Sequence, residues 1–217
     1  GLLRRRLTSD YESDIFGAAA DQGKRDPLFE AKLLHQFCSS PAQVEATLEK
    51  IQVEGGFARM RFQNQKALGE LAQKLMVQVK SAKDLKLIEL EAILQNHASE
   101  KIVIFCIYRE TARYLAQHLV KKLPQHVIRS TIDVDADALE TLLDSFAPVA
   151  NGKILPEKPD SEFEARLRAQ SIDILIASEA ISEGYNLQDS RILINYDLPW
   201  SVLQLAQRMG RLMRPWH

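Results

Sequence analysis

Three arginines near the end of the chain are spaced three residues apart behind a glutamine. They are Arg208, Arg211 and Arg214, in the segment that begins at Gln207. A guanidinium group is planar, always charged and forked, so it suits the negative charge that spreads over a phosphoryl group during its transfer. A basic last turn is also common in ordinary helices, where it stabilises the end of the helix dipole. The spacing alone leaves phosphoryl-transfer chemistry and a solvated helix end about equally open.

The arginines need a helix to position them, and the preceding residues predict where it begins. Pro199 and Trp200 end an extended run, and Ser201 with Gln204 forms a capping box. Gly210 could interrupt the helix near its end. Because successive side chains of a helix are about 100° apart, we expect one apolar stripe that is buried and an opposite polar side that is open to a ligand. The stripe consists of Val202, Leu205, Ala206 and Met209, and the polar side of Gln207, Arg211 and Arg214.

Two short apolar runs upstream predict buried parallel strands, Ile172–Ala177 and Ile192–Tyr196. Small polar residues follow the first run, where ligands bind in open α/β sheets. Gly184 would let the backbone approach a ligand, and Asn186 could hydrogen-bond a ribose hydroxyl. The alternative is a plain turn between strands, which explains the glycine and the asparagine but not the small polar residues beside them.

Three blocks now resemble motifs V and VI of superfamily 2 helicases, in the same order and spacing. They are Ser182-Glu-Gly-Tyr-Asn-Leu-Gln188, Asn195-Tyr-Asp-Leu-Pro-Trp200 and Gln207–Arg214. The most similar branch is the Swi/Snf-like one, including its bacterial members, and the resemblance covers the chain from about Asp84 to its end. It implies the second RecA-like domain, also called the helicase C-terminal domain, of a nucleic-acid-stimulated ATPase. In that family ATP is held between two such domains.

The resemblance implies roles for the residues near the nucleotide. Arg211 and Arg214 would act as arginine fingers toward the γ-phosphate, and Gln207 would orient or sense it. Arg208 lies off that side of the helix and is expected to pair within the domain. The ribose side of the nucleotide would be approached by Gly184, Asn186 and Glu183, a glutamate being usual at that last position in the bacterial Swi/Snf-like branch.

The resemblance also implies contacts with a nucleic-acid backbone. Ser178, at the end of its strand, occupies a position that usually contacts a phosphate. The run Ile102–Ile107 and its following turn resemble motif IV, where Arg109 and Thr111 are the residues able to meet a phosphate, by charge and at a helix amino terminus. Two alternatives stay open: Arg109 could pair with a nearby acid, and Thr111 could merely cap the helix.

The pattern of the chain changes near residue 98. Residues 98–217 alternate strands and helices, which predicts an α/β fold with a parallel sheet and flanking helices, and the resemblance implies that this fold is RecA-like. His126–Thr131 is expected as a strand, Asp137–Phe146 as a helix, and Ala147–Asp160, rich in proline, as an exposed irregular loop. Residues 1–97 are expected to be an all-helical N-terminal segment linking to or decorating the motor. Its apolar positions are Leu28, Ala31, Leu34 and Phe37, then Val44, Leu48 and Ile51, then Met60, Leu68, Leu71 and Leu75, and finally Leu85, Ile88, Leu90 and Ile93.

Composition excludes several classes of protein. The net charge of −1 gives no global basic field, so any nucleic-acid binding must be local. The two cysteines lie far apart, Cys106 within an apolar strand, and neither a disulfide framework nor a zinc or other metal site is expected. There is no apolar stretch of membrane-spanning length and no signal peptide, so we expect a soluble, cytoplasmic protein.

Two elements of an ATPase do not occur in the sequence: a phosphate-binding Gly-x-x-x-x-Gly-Lys-Ser/Thr loop and an Asp-Glu pair after a strand. We therefore expect a longer parent protein, whose first RecA-like domain is the main binder of ATP and Mg²⁺. The chain alone should not hydrolyse ATP. Its expected partners are that domain and nucleic acid, with double-stranded DNA preferred for this branch, although DNA or RNA, and strand separation or translocation, remain open.

Two other functions are compatible with parts of the pattern. The chain could be a RecA-like binding or regulatory module without ATPase activity, although its three arginines remain in register. It could also be an unrelated nucleotide-binding α/β enzyme, such as a nucleotide-sugar transferase, and the arginine spacing argues against this. A phosphate loop and an Asp-Glu pair in the parent protein would favour the motor over both.

Overall fold

The computed structural model describes residues 27–54, 56–57, 60–61, 65–152, 171–178 and 185–213. The chain divides into two compact units, Gly1–Asp84 and Leu85–His217. The second unit therefore begins upstream of the change in sequence pattern near residue 98, because the helix before that point belongs with the sheet. Each unit is described separately.

The described residues of the first unit form three helices and a short hairpin. Their bounds are α1 Pro27–Phe37, α2 Pro41–Glu54, β1 Gly56–Phe57, β2 Met60–Arg61 and α3 Gln65–Ser81. The apolar positions of α2 and α3 meet in one core, which contains Leu33, Val44, Leu48, Ile51, Leu71, Ala72 and Leu75. The antiparallel β1–β2 pair shows that the segment is not entirely helical, and it places Met60 in a strand rather than in the helix that was expected to contain it.

The described part of the second unit contains four parallel strands and four helices. Their bounds are α4 Leu85–Asn96, β3 Ile102–Cys106, α5 Arg109–Lys122, β4 Ile128–Ser130, α6 Ala136–Phe146, β5 Ile174–Ser178, β6 Ile192–Asn195 and α7 Val202–Leu212. The strand order is β4-β5-β3-β6, and β3 pairs in parallel with both β5 and β6. The predicted α/β fold with a RecA-like parallel sheet is confirmed, and each predicted strand is present with ends shifted by one or two residues.

Alternate residues of the central strands enter two different cores, because successive side chains of a strand point to opposite faces. On one face, Ile102, Ile104 and Cys106 pack with the buried residues of α4 and α5. On the other face, Val103 and Phe105 pack with the buried residues of α6 and with Leu187 and Leu212. The sheet is thus covered on both faces, and its carboxyl edge is left to the loops and to α7.

Several details of the helices differ from the sequence interpretation. In α4 the buried residues are Leu87, Leu90 and Leu94, whereas Leu85, Ile88 and Ile93, expected to be apolar contacts, are exposed. In α1, Leu33 is buried and Leu34 is exposed. Apolar residues occur on more than one side of each of these helices, so the helical spacing of apolar residues did not by itself identify the side that packs against the core. Along the described ranges, every helix is too short or too polar to cross a lipid bilayer.

Candidate functional site

Helix α7 begins where the sequence predicts. The backbone N–H of Gln204 donates to the Ser201 hydroxyl oxygen at 3.2 Å, so Ser201 caps the helix as expected. The helix continues through Gly210 to Leu212 without interruption. A side-chain atom added at Gly210 would meet nothing within 4 Å, so the glycine is not there to allow close packing.

Arg208 is the inward-pointing residue of α7 and is completely buried. One terminal nitrogen of its guanidinium donates to the Asn195 side-chain oxygen at 2.7 Å and to the Asp197 carbonyl at 3.3 Å. The guanidinium carbon lies 4.9 Å from the centre of the Phe105 ring. Arg208 therefore fixes α7 to the carboxyl ends of β3 and β6, in agreement with the expectation that it pairs within the domain.

The burial of Arg208 reverses the expected orientation of the helix. The residues within roughly 60° of it around the helix axis are half-buried, and they are Gln204, Leu205, Arg211 and Leu212. The stripe that was expected to be buried is mostly open to solvent, since Val202 is 82% and Met209 45% exposed and Ala206 is also exposed. The expectation of a buried apolar stripe was wrong, because an anchored arginine rather than that stripe determines which side faces the sheet.

Gln207 and Arg211 lie on the same side of α7, and the backbone of Arg211 contacts the described segment that precedes β6. Gln207 is exposed and Arg211 is half-buried. The backbone N–H of Leu187, a fully buried residue, donates to the Arg211 carbonyl oxygen at 3.3 Å. The structure therefore brings Arg211 beside the segment that contains Asn186. Arg214, Glu183 and Gly184 lie outside the described residues, so their positions stay predictions.

Asn186 is tied to the segment that follows α6. Its side-chain amide donates to the Ala150 carbonyl at 3.3 Å. The Asp189 carboxylate accepts hydrogen bonds from the backbone N–H groups of Val149 and Ala150, at 3.0 and 2.8 Å. The beginning of the expected irregular loop is therefore packed against the sheet, with Ala147 fully buried, while residues 153–160 lie outside the described ranges.

The three residues expected to contact nucleic acid are in different environments. Ser178 ends β5, is buried, and donates its backbone N–H to the Thr131 hydroxyl oxygen at 3.1 Å. Thr111 is completely buried in the first turn of α5, so its hydroxyl does not reach solvent, and its expected phosphate contact at the helix amino terminus stays a prediction. Arg109 has a 64% exposed side chain and pairs with the Asp133 carboxylate, which is the alternative that the sequence left open.

The sequence matches the model of a known family, the helicase conserved C-terminal domain, over residues 85–215. The chain belongs to this family. The matched region begins where the second unit of the structure begins, and it contains every residue described around α7.

Individual relatives of this helicase C-terminal domain are more distant. The uncharacterized ATP-dependent helicase YqhH of Bacillus subtilis is 28% identical over 182 residues, which cover 84% of this chain and 28% of YqhH. The ATP-dependent RNA helicase dbp8 of Neosartorya fischeri is 28% identical over 120 residues, covering 55% of this chain and 19% of dbp8. The match thus spans 28% of the length of YqhH and 19% of the length of dbp8.

Solved structures agree on the fold of this helicase C-terminal domain. The Hef helicase domain of Pyrococcus furiosus superposes with a TM-score of 0.50 and 19% sequence identity, covering 99% of this chain and 41% of that chain. At this identity the similarity supports the RecA-like fold alone.

Two charged residues of the helicase C-terminal domain were missed by sequence reasoning. Asp197 is 5% exposed, and its two carboxylate oxygens accept from Lys86 at 3.0 Å and from the Ile107 backbone N–H at 3.1 Å. The Lys86 ammonium also lies 3.9 Å from the centre of the Tyr196 ring. The sequence does show a charged residue, Asp197, shortly after an apolar strand, but it does not show that its partner is Lys86, because the two residues are distant in sequence.

Cys106 lies beside this pair at the end of β3 and is a free, buried thiol, as predicted. Burial raises the pKa of the Cys106 thiol far above its usual value, and the nearby Asp197 carboxylate raises it further. Cys106 is therefore a packing residue rather than a nucleophile. Among the described residues, no three histidine, cysteine, aspartate or glutamate side chains are grouped as metal ligands.

Proposed function

We propose that this chain is the second RecA-like domain of an ATP-dependent, nucleic-acid-stimulated motor, a helicase or translocase of the Swi/Snf-like branch. The proposal rests mainly on the different positions of the polar residues of α7. Arg208 anchors the helix to the sheet, while Gln207 and Arg211 share another side of it, and the Arg211 backbone is hydrogen-bonded to Leu187, the neighbour of Asn186. A rigidly held helix with a polar side next to a nucleotide-binding loop is suited to contact a phosphate group.

In this motor, Arg211 and Arg214 contact the γ-phosphate and stabilise the charge that develops on it. An arginine finger contributes on the order of a thousandfold or more to the rate of phosphoryl transfer. Gln207 orients or senses the same phosphate. Asn186, with Gly184 and Glu183, contacts the ribose side of the nucleotide. The first RecA-like domain of the parent protein supplies most of the contacts to ATP and Mg²⁺.

The exposed apolar side of α7 supports docking of that first RecA-like domain. Val202 is 82%, Met213 72% and Leu203 69% exposed, and Trp200, just before the helix, is 53% exposed. A patch of large apolar side chains next to polar functional residues is typical of a surface covered by another domain. Because the chain spans 28% of YqhH, there is room in a parent of similar length for such a domain.

The carboxyl edge of the sheet is the proposed nucleic-acid side. Ser178 is the last residue of β5, and Arg109, which is largely exposed, begins α5 shortly after β3. Opening and closing of the cleft between the two RecA-like domains would advance this edge along a nucleic-acid backbone. We propose double-stranded DNA as the track and the cytoplasm as the location, and the RNA helicases among the relatives make RNA the necessary comparison.

The test is ATP hydrolysis by the full-length parent protein with no nucleic acid, duplex DNA, single-stranded DNA or RNA. We expect turnover that is stimulated by nucleic acid, most strongly by duplex DNA, and no turnover by the chain of 217 residues alone. A parent protein that binds nucleic acid but does not hydrolyse ATP under any of these conditions would favour the regulatory module instead.

A further inference from the structure

Two arginines of α5 share one carboxylate at the carboxyl edge of the sheet. Asp133 accepts hydrogen bonds from Arg113 at 2.8 Å (Nε) and 2.9 Å (a terminal nitrogen), and it also accepts one from Arg109. Arg113 makes a further ion pair with Glu110 at 2.6 Å. The two arginines thus converge on one carboxylate, Arg113 at both oxygen atoms and Arg109 at Oδ1.

The position of this pair relates it to the proposed nucleic-acid edge. Arg109 follows β3 and Asp133 follows β4, and β5 lies between these two strands in the sheet. The ion pairs therefore connect the start of α5 with the turn after β4, on either side of the end of β5, where Ser178 is hydrogen-bonded to Thr131. Charged side chains that span the end of the central strand lie in the path of any backbone bound along this edge.

The Asp133 carboxylate presents the geometry of a bound phosphate. A fork of guanidinium donors recognises the paired oxygens of a carboxylate and of a phosphate in the same bidentate way. Asp133 is held in the left-handed backbone region with φ of 62°, a conformation that aspartate and asparagine tolerate better than most residues. The side chains of Arg109, Arg113 and Asp133 are 64%, 39% and 50% exposed, so a ligand from solvent can reach all three.

The charges of the cluster are stable near neutral pH. Hydrogen bonding from Arg113 holds the pKa of the Asp133 carboxyl below its usual range, and the Arg109 guanidinium acts in the same direction. Hydrogen bonds to Asp133 and Glu110 raise the pKa of Arg113. The carboxylate is therefore ionised under ordinary conditions and competes with any other anion for the two arginines.

We propose that Arg109 and Arg113 form a binding site for a phosphodiester of nucleic acid, which Asp133 occupies as a competing carboxylate until nucleic acid displaces it. The inference rests on the proposed nucleic-acid motor function and adds a residue, Asp133, that lowers the affinity of the free domain. The chain then binds nucleic acid more weakly than its arginines alone would allow.

The test is the affinity of the 217-residue chain for a short fluorescent DNA duplex, measured by anisotropy at several salt concentrations. The key variant is Asp133→Asn, which removes the charge and keeps a residue that tolerates positive φ. Glu140→Gln is the matched control, because Glu140 is an exposed acid on α6 and its substitution changes the net charge equally. Circular dichroism of each variant verifies that it is folded.

We expect Asp133→Asn to tighten binding by about three- to tenfold more than Glu140→Gln does. The plot of log affinity against log salt should steepen by about one unit, since a further arginine can then neutralise a phosphate. Arg109→Gln and Arg113→Gln, each introduced into the Asp133→Asn chain, should remove the gain.

Equal effects of Asp133→Asn and Glu140→Gln would overturn the inference, as would a gain that survives both arginine substitutions or a failure of every variant to bind. These outcomes are separable from failure of the proposed function, which is measured in the parent protein. If nucleic acid stimulates ATP hydrolysis by the parent while Asp133→Asn has no specific effect, the proposed motor function is supported and the role of Asp133 as a competing carboxylate is rejected.

Discussion

Arg208 donates a 2.7 Å hydrogen bond to the side-chain oxygen of Asn195, across the contact between α7 and the end of β6. This bond separates two arginines that are identical in chemistry and only three residues apart. Arg208 is completely buried against the sheet, whereas Arg211 is half-buried at the side of the helix. The first therefore holds the helix in place, and we propose that the second acts on a ligand.

Arg208→Ala should destabilise the chain strongly. It removes a buried charge together with its hydrogen bonds, and it leaves the Asn195 oxygen without this partner, so we expect a loss of about 3–5 kcal/mol in the free energy of unfolding. Arg211→Ala, the matched control on the same helix, should cost less than about 1 kcal/mol. Urea denaturation of the two variants checks the difference, and equal losses would contradict the assignment of Arg208 as the anchor.

Asp197→Asn should also destabilise the second unit, by about 1.5–3 kcal/mol. The amide offers one acceptor oxygen in place of two, so it cannot accept from both Lys86 and the Ile107 N–H. Lys86→Met should cost less, about 1 kcal/mol, because the lysine side chain is 36% exposed. Thermal or urea unfolding of the two variants measures their relative loss of stability. A larger loss for Lys86→Met would show that the hydrogen bond from the Ile107 backbone to Asp197 contributes little.

The two cysteines should differ in reactivity. Cys38 is exposed, whereas Cys106 is fully buried and its thiol has a strongly raised pKa. A chromogenic disulfide reagent at pH 8 should therefore modify one thiol per chain quickly and the second only as fast as the second unit opens. In Cys38→Ser, only the slow reaction should remain, and a fast reaction in that variant would contradict the burial of Cys106.

The exposed apolar side of α7 should matter only in the full-length parent. Val202→Asp should change the stability of the 217-residue chain by no more than about 0.5 kcal/mol, because the side chain is 82% exposed. In the parent it should reduce ATP turnover by burying a charge against the first RecA-like domain. Val120→Asp is the control, since Val120 is 50% exposed near the far end of α5. Equal turnover in the two variants would argue against docking on this side of α7.

The sequence predicts the central strands of the sheet well because they are short and mostly apolar. β3 is Ile-Val-Ile-Phe-Cys and β5 is Ile-Leu-Ile-Ala-Ser, and burial on both faces favours such a composition. The cap of α7 was also predictable, since Ser201 and Gln204 act within a single turn. Local chemistry of this kind can be interpreted without knowledge of distant contacts.

The orientation of helices was less predictable, because it depends on partners far away in sequence. In α7 the apolar stripe containing Val202 and Met209 was a reasonable inward side, yet the contact with Asn195 turns Arg208 inward instead. The pairing of Lys86 with Asp197 joins residues 111 positions apart, and no local pattern marks it. For the same reason the sequence could name an acid as a possible partner of Arg109 but could not identify Asp133.

The most direct test of the proposed function is ATP hydrolysis by the full-length parent carrying Arg211→Ala. We expect nucleic-acid-stimulated turnover to fall by about a thousandfold or more, with ATP binding largely retained, because the lost contact stabilises charge that develops during the reaction. Arg191→Ala is the control, since Arg191 is exposed at the opposite, amino end of β6 and should leave turnover unchanged. Wild-type turnover in the Arg211→Ala parent would contradict the account.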